Sequence, residues 1–293
     1  MRTSIIYVHI YNSVCKSDEK DNYQIEFKNC IIRNNEPLTY GLITLIPEEK
    51  SFFNDNLPKC ISVSVTNSIL SGNKSIFSLI RGNLNIDNCI IEYSDSVETM
   101  NASIIMSENI NNRIDIKNSK FINNITNMPL FYLIKADIEI RNTTFINNHS
   151  TSGNLIHGEY ISNEYNNKLI ITDSFFSEND NIINGKNNDI IISNCEFKDT
   201  ELKSSLPIVS NCINSNIQIG NSNFRNLKIQ GNGLVGPEST YTLNNVTLSD
   251  IVTNGKSLFR FLNKNIKFNN VTFNSIKNAG EINESSIIYF DSG

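Results

Sequence analysis

The sequence predicts an all-β protein: a right-handed, single-stranded parallel β-helix that forms one domain over residues 1–293. Two observations predict this fold. A short phrase that alternates apolar and polar residues around one asparagine recurs along the chain, and a second apolar run recurs between its copies. A unit this short cannot bury an apolar face by itself, so the units must stack into a solenoid.

The recurring phrase predicts two strands in each unit. It has the form apolar-x-apolar-x-Asn-small-x-apolar, as in Ile138-x-Ile140-x-Asn142-Thr143-x-Phe145. Alternation of apolar residues at period two indicates a β-strand. The asparagine interrupts the alternation and tolerates a left-handed backbone, so we expect a one-residue bend between two strands. About ten copies are centred on Asn29, Asn67, Asn88, Asn118, Asn142, Asp173, Asn194, Asn221, Asn245 and Asn270.

The apolar run between the phrases predicts a third strand. Examples are "GLITLI" at 41–46 and "LFYLIK" at 130–135. Each coil therefore has three short strands and three corners, and about ten coils stack at about 4.8 Å per coil. We expect the asparagines of the phrase to stack as a hydrogen-bonded ladder, with Asp173 in place of one asparagine.

The position after the ladder residue is small in every copy and is expected to point inward. Cys30, Cys89 and Cys195 occupy it in coils that are not adjacent, so they are expected to be free thiols that pack as small apolar side chains. For the other three cysteines, the sequence does not decide whether a Cys15–Cys60 or a Cys60–Cys212 disulfide forms. The chain has no Cys-x-x-Cys motif, so no zinc site is predicted.

Both ends of the sequence match the third strand of the repeat. Residues 3–13 resemble residues 285–293, and neither end carries an amphipathic helix that could cap a solenoid. Solenoids need their terminal strand edges covered. We therefore expect the chain to be a segment of a longer solenoid; the alternative is that loops cap its ends.

Composition excludes some classes of partner. The formal net charge is -5, hydrophobic residues make up 39% of the chain, and charged residues make up 19%. Because the lysines and arginines form no cluster, nucleic acid is not an expected partner. No run of eighteen apolar residues occurs, so no membrane span is predicted within the chain.

At this point the repeat resembles a known group. The phrases "FINN" at 121–124 and 145–148 and "FSEN" at 176–179 resemble the repeat of chlamydial polymorphic outer-membrane proteins and related adhesin-like proteins, and the whole pattern resembles the pectin-lyase-like β-helix. The Gly-Gly-Ala-Ile signature of those proteins is degenerate here, as in "SGNLIH" at 152–157 and "GNGLVG" at 231–236. The resemblance covers nearly the whole chain.

The resemblance implies two classes of function. One is a non-enzymatic protein, extracellular or on the cell surface, that is adhesin-like or a scaffold and binds glycans or proteins there. The alternative is a carbohydrate-active enzyme, either a polysaccharide lyase or a glycoside hydrolase. Fold alone does not choose between them. The first is the leading prediction, and no catalytic, cofactor-binding or metal-binding residue is predicted.

The strongest candidates for chemistry are Asp115 and Glu139. They are expected to face outward in adjacent coils about 5 Å apart, a separation that suits a retaining glycosidase. Lys117 and Arg141 flank them, however, and cations would keep both carboxylates ionised, whereas a general acid must hold its proton. The sequence therefore favours a solvated lattice of charges.

His149, expected in a turn after "FINN", and His157, expected in a third strand, are both predicted to be non-catalytic.

Ile170 and Ile191 are expected to face outward in adjacent coils. The insertion at 158–168 is expected to cover them with Tyr160 or Tyr165; left uncovered, the pair would be a small contact site.

Overall fold

The computed structural model describes residues 6–10, 23–37, 41–47, 61–80, 82–99, 101–108, 112–160, 166–202, 204–231, 233–254, 257–279 and 286–291. All regular secondary structure in these ranges is β-strand, and the strand pairs are parallel. The strands form three stacked faces, so the predicted parallel β-helix with three strands per coil is confirmed.

Face 1 holds the strands that precede the asparagine of the phrase. They are β2 (Tyr23–Lys28), β5 (Ile61–Thr66), β8 (Asn83–Asp87), β11 (Asn112–Lys117), β15 (Ala136–Arg141), β19 (Asn167–Thr172), β22 (Asn188–Ser193), β25 (Asn216–Gly220) and the first parts of β27 (Thr240–Thr253) and β29 (Ile266–Asn278). Face 2 holds the strands that follow it. They are β3 (Ile31–Arg33), β6 (Ile69–Ser71), β9 (Ile90–Glu92), β12 (Lys120–Ile122), β16 (Thr144–Ile146), β20 (Phe175–Ser177), β23 (Glu196–Leu202), β26 (Asn223–Ile229) and the later parts of β27 and β29.

Face 3 is built by the apolar runs between the phrases. Its strands are β1 (Ile6–Ile10), β4 (Ile43–Pro47), β7 (Phe77–Leu79), β10 (Ile105–Ser107), β14 (Phe131–Ile134), β18 (Asn154–Glu159), β21 (Asn181–Lys186), β24 (Ser210–Ile213), β28 (Phe259–Leu262) and β30 (Ile288–Asp291). Val235 bridges β24 and β28. Two short strands, β13 (Ile125–Thr126) and β17 (His149–Ser150), pair between faces 2 and 3.

The first corner, between faces 1 and 2, is the predicted one-residue bend. All ten ladder residues have positive φ, between 46° and 56°. Side-chain bonds join neighbours: the amide of Asn142 donates to Asn118 at 2.8 Å, and that of Asn194 donates to Asp173 at 3.1 Å. The ladder and the substitution by Asp173 are therefore confirmed, and both lie on an exposed edge of the rod.

The core is a continuous column of side chains from faces 1, 2 and 3. Its centre is a stack of five buried phenylalanines on face 2. Neighbouring ring centroids lie 4.6 to 5.0 Å apart and the ring planes lie within 8° of parallel. The members of the stack are Phe121, Phe145, Phe176, Phe197 and Phe224. Because the coils are in register, the same phrase position repeats at each level of the stack.

The second corner, between faces 2 and 3, was not predicted. In each coil a residue with positive φ is followed by one that points into the rod. The residues with positive φ are Asn34, Gly72, Tyr93, Asn123, Asn147, Glu178, Asp199, Asn226, Asp250 and Ser275. The residues that follow them are Asn35, Asn73, Ser94, Asn124, Asn148, Asn179, Thr200, Leu227, Ile251 and Ile276. We call the coils from Asn35 to Asn179 the amide-cornered region, and those from Leu227 to Ile276 the apolar-cornered region.

The amide-cornered region contains a second, buried ladder. The side-chain amide of Asn148 donates to the Asn179 side chain at 3.0 Å and to the Phe121 carbonyl at 2.9 Å. Its own carbonyl oxygen accepts from the side-chain amide of Asn124 at 2.8 Å. These three asparagines are at most 3% exposed. A buried amide is tolerated only when its polar atoms are hydrogen-bonded, and the stacking of amides supplies those bonds.

The predicted free cysteines are confirmed. Cys89 and Cys195 are buried and Cys30 is half-buried, and all three are free. Cys212 is also a free, buried thiol, so the structure does not support a Cys60–Cys212 disulfide. Burial raises the pKa of Cys195 and of Cys212 to about 11. Residues 15 and 60 lie outside the described residues.

Candidate functional site

The charge lattice on face 1 has the predicted register. Asp115 is paired with Glu139, and Lys117 with Arg141, in the ladder between β11 and β15. The structure adds a residue that was not predicted, Arg113. Its guanidinium lies 3.0 Å from Asp115 Oδ2 and 2.9 Å from Glu139 Oε2. Arg141 contacts the other oxygen of Glu139 at 3.1 Å.

The arginines leave the two carboxylates poorly suited to acid–base catalysis. The hydrogen bond to Asp115 raises the pKa of Arg113, and so do the charges of Asp115 and Glu139. A glycosidase needs one carboxyl group that holds a proton and one that is free to attack. Here Arg113 bridges both. Period two along β11 could have found Arg113, since it lies two residues before Asp115 on the same side of the strand.

His149 lies in β17 rather than in a turn, which corrects the sequence prediction. Its Nδ1 is 3.1 Å from Asp180 Oδ1, and its Nε2 is 2.9 Å from the side-chain oxygen of Asn147. It lines an open cleft of about 580 Å³ with Glu178, Asp180, Asp199 and Glu201. The hydrogen bond to Asp180 raises the pKa of His149. Both ring nitrogens are already engaged by the protein, so this histidine is not free to act as a base.

A third group of side chains lies on face 3. Tyr132 and His157 stack with ring centroids 5.3 Å apart and planes 10° from parallel. His157 lies in β18, a strand of face 3, as predicted. The parallel register then places Asn184 and Asn211 beside His157 in the next two coils. We call Tyr132, His157, Asn184 and Asn211 the face 3 row; all four are partly exposed.

An ion pair borders the face 3 row. Glu159 Oε1 lies 2.8 Å from the Lys186 ammonium, and its other oxygen lies 3.3 Å from His157 Nε2. The hydrogen bond from Lys186 lowers the pKa of Glu159. The hydrogen bond from His157 lowers this pKa further. Burial raises the pKa of Tyr132. The row therefore offers a stacked pair of rings, two amides, an anion and a cation within a few coils.

Sequence reasoning missed the face 3 row for a definite reason. Tyr132 is third in "LFYLIK", His157 and Asn184 are fourth in "NLIHGE" and "NIINGK", and Asn211 is sixth in "LPIVSN". The runs also follow one another at irregular intervals. Only the pairing of Tyr132 with His157 and of His157 with Asn184 aligns them.

Ile170 and Ile191 are paired in adjacent coils, and Ile191 is 37% exposed. Ile191 borders a shallow groove of about 460 Å³ that also contains Gln218 and Thr242. Residues 161–165, which include Tyr165, lie outside the described residues. The predicted cover over the two isoleucines therefore stays a prediction.

Among the described residues, no group of three or more His, Cys, Asp or Glu side chains is placed to hold a metal ion. The same part of the chain contains no helix of the length and apolarity needed to cross a membrane. Comparison with protein-family models, with curated proteins and with solved structures found no match to this chain. The resemblance to pectin-lyase-like and adhesin-like proteins therefore remains a prediction.

Proposed function

We propose that this chain is a non-enzymatic β-helix repeat protein, secreted or exposed on a cell surface, that works as an adhesin-like or scaffold module and binds glycans along the face 3 row. The observation that carries the proposal is the stacked pair Tyr132–His157, which is followed by two outward amides in register.

The chemistry of the face 3 row suits a sugar. The C–H groups of a pyranose can pack against the exposed parts of the stacked Tyr132 and His157 rings, which supply apolar contact area. Its hydroxyls are donors and acceptors at once, as are the side-chain amides of Asn184 and Asn211. The row belongs to a rigid, hydrogen-bonded face, so its side chains lose little conformational freedom when a ligand binds.

The alternative, a carbohydrate-active enzyme, is disfavoured by the same structure. Arg113 bridges Asp115 and Glu139, and His149 has both ring nitrogens engaged. Neither group offers a carboxyl or imidazole that is free to exchange a proton with a substrate. An assay for turnover nevertheless belongs beside the binding experiment, because it separates the two classes directly.

The test is glycan-array binding of the purified chain, with a lyase and hydrolase assay on acidic polysaccharides run on the same sample. We expect binding without turnover. Tyr132→Ala should weaken the binding of an array hit by about tenfold, since one aromatic contact is removed. Tyr93→Asn is the matched control: it removes a tyrosine that is 58% exposed at the second corner, where φ is positive and asparagine is well tolerated.

The outcomes are distinct. Binding that survives in Tyr132→Ala would move the site away from face 3 and leave the function class standing. No binding to any glycan would remove the glycan arm of the proposal. Turnover that disappears in Asp115→Asn or Glu139→Gln would make the protein an enzyme.

A further inference from the structure

His149 joins two successive coils at the second corner. Its strand, β17, lies in one coil, and its partner Asp180 lies in the next, 31 residues along the chain. The second oxygen of Asp180 accepts a hydrogen bond from the Ser150 backbone N–H at 2.7 Å. One carboxylate therefore holds both residues of β17.

The orientation of the Asn147 side chain requires His149 to donate a hydrogen bond through Nε2. The side-chain nitrogen of Asn147 donates to the side-chain oxygen of Asn123 at 2.8 Å. Its own oxygen is therefore the atom that faces His149 Nε2 at 2.9 Å, and it can only accept. Asp180 is also an acceptor when ionised. Both ring nitrogens consequently face acceptors, an arrangement that the doubly protonated imidazolium satisfies and a neutral ring cannot.

The charges around His149 support the imidazolium. Asp180 contacts it directly, and the charge of Glu178 acts on it from the bend that precedes Asp180 in the next coil. Asp199 and Glu201 line the same cleft but are paired with lysines of their own, Lys198 at 3.4 Å and Lys228 at 3.3 Å. The described lining of the cleft contains no lysine or arginine that would compete with His149 for Asp180.

We propose that His149 is a pH-sensitive latch, which as the imidazolium ties its coil to the next one and to the asparagines beside it, and which releases one of these contacts when it loses a proton. The neutral ring has one N–H. If that hydrogen stays on Nδ1 toward Asp180, the Nε2 lone pair faces the oxygen of Asn147. Rotating the Asn147 amide removes this repulsion but breaks its bond to Asn123.

The raised pKa of His149 determines how the stability of the fold depends on pH. Hydrogen bonding to Asp180 raises the pKa of His149 in the folded protein above its ordinary value of about 6.5. The stabilisation is therefore complete below about pH 6.5 and is lost as the pH rises through the folded-state pKa.

The first test compares urea unfolding midpoints between about pH 5.5 and about pH 8.5, on either side of the ordinary histidine pKa. We expect the midpoint of the wild-type chain to fall with rising pH, and most of that fall to disappear in His149→Gln. Tyr93→Asn, which changes an exposed side chain outside this cleft, is the control and should keep the fall. An unchanged pH dependence in His149→Gln would overturn the proposal.

A second test does not require stable variants of the latch. In NMR spectra of the imidazole nitrogens of the folded wild-type chain at about pH 6.5, we expect His149 to carry hydrogen on both nitrogens; His157→Gln removes one competing signal. A single neutral tautomer would contradict the latch. Where Asp180→Asn folds, the pKa of His149 should move down, and an unmoved titration would also count against it.

Discussion

The amide-cornered and apolar-cornered regions make the same turn with opposite chemistry. In both, the second corner bends at a residue with positive φ, for example Asn123 at 54° and Asn226 at 52°. The next residue then points inward. It is Asn124 in the first region and Leu227 in the second, and both are fully buried.

The second corner performs two separate tasks: it bends the chain, and it joins neighbouring coils. The residue with positive φ makes the bend, because asparagine adopts the left-handed backbone at low cost. The inward residue decides how neighbouring coils are joined. Asn148 joins them by directional hydrogen bonds to Asn179 and to the Phe121 carbonyl. Leu227 and Ile251 join them by apolar packing, and the strands there run on through the corner.

We expect the largest effect from removing a ring of the phenylalanine stack, which couples the two regions. The phenylalanine stack crosses from one to the other, and Phe176 lies at its centre. Phe176→Ala should lower the free energy of unfolding by about 3–5 kcal/mol and divide urea unfolding into two transitions, since contacts in a solenoid are between neighbouring coils. Far-UV circular dichroism across a urea titration measures both. Phe175→Ala, the outward neighbour, is the control; an equal loss there would contradict the prediction.

The second-largest effect is expected when the inward residues of the two regions are exchanged. Asn148→Leu should lower the free energy of unfolding by about 3 kcal/mol, because the Asn179 side chain and the Phe121 carbonyl lose buried partners. Leu227→Asn should also destabilise, since it places an amide between Thr200 and Ile251. Denaturant unfolding measures each. If either exchange is neutral, the inward residue does not decide how neighbouring coils are joined, and the distinction between the regions fails.

The smallest effect concerns the bend that the regions share. Asn123→Ala and Asn226→Ala should each cost about 1–2 kcal/mol in free energy of unfolding, because alanine resists positive φ. Asn123→Gly and Asn226→Gly should recover most of that loss, since glycine adopts this backbone freely. Thermal unfolding of the four variants measures the comparison. A glycine variant no more stable than its alanine partner would show that the side-chain hydrogen bonds, and not the bend, carry the effect.

Prediction from sequence succeeded where the cause is local. The alternation around Asn142 and the tolerance of asparagine for positive φ concern one short segment, and the bend appears where it was expected. The buried ladder was missed although "FINN" contains it. Two consecutive asparagines look alike in sequence, yet Asn147 is partly exposed at the bend and Asn148 is buried.

The candidate sites were predicted less completely. The stacking of Asp115 on Glu139 followed from the phrase, because both lie at the same position in it. Arg113 lies outside the phrase, and His149 pairs with Asp180 across a coil boundary. The face 3 row combines residues from four successive coils at three different run positions, so no single repeat contains the site.

By itself, the sequence determined the parallel β-helix, the bend at each ladder asparagine and the inward position of Cys89 and Cys195, because periodicity and backbone preference act within one repeat. Only the tertiary structure decided which side chains meet between coils. Bonded ladder residues are separated by 21 residues in the pair Asn67–Asn88 and by 25 in the pair Asn245–Asn270, so coil lengths vary. The contact between Tyr132 and His157, and that between His149 and Asp180, depends on how loops of unequal length bring the strands into register.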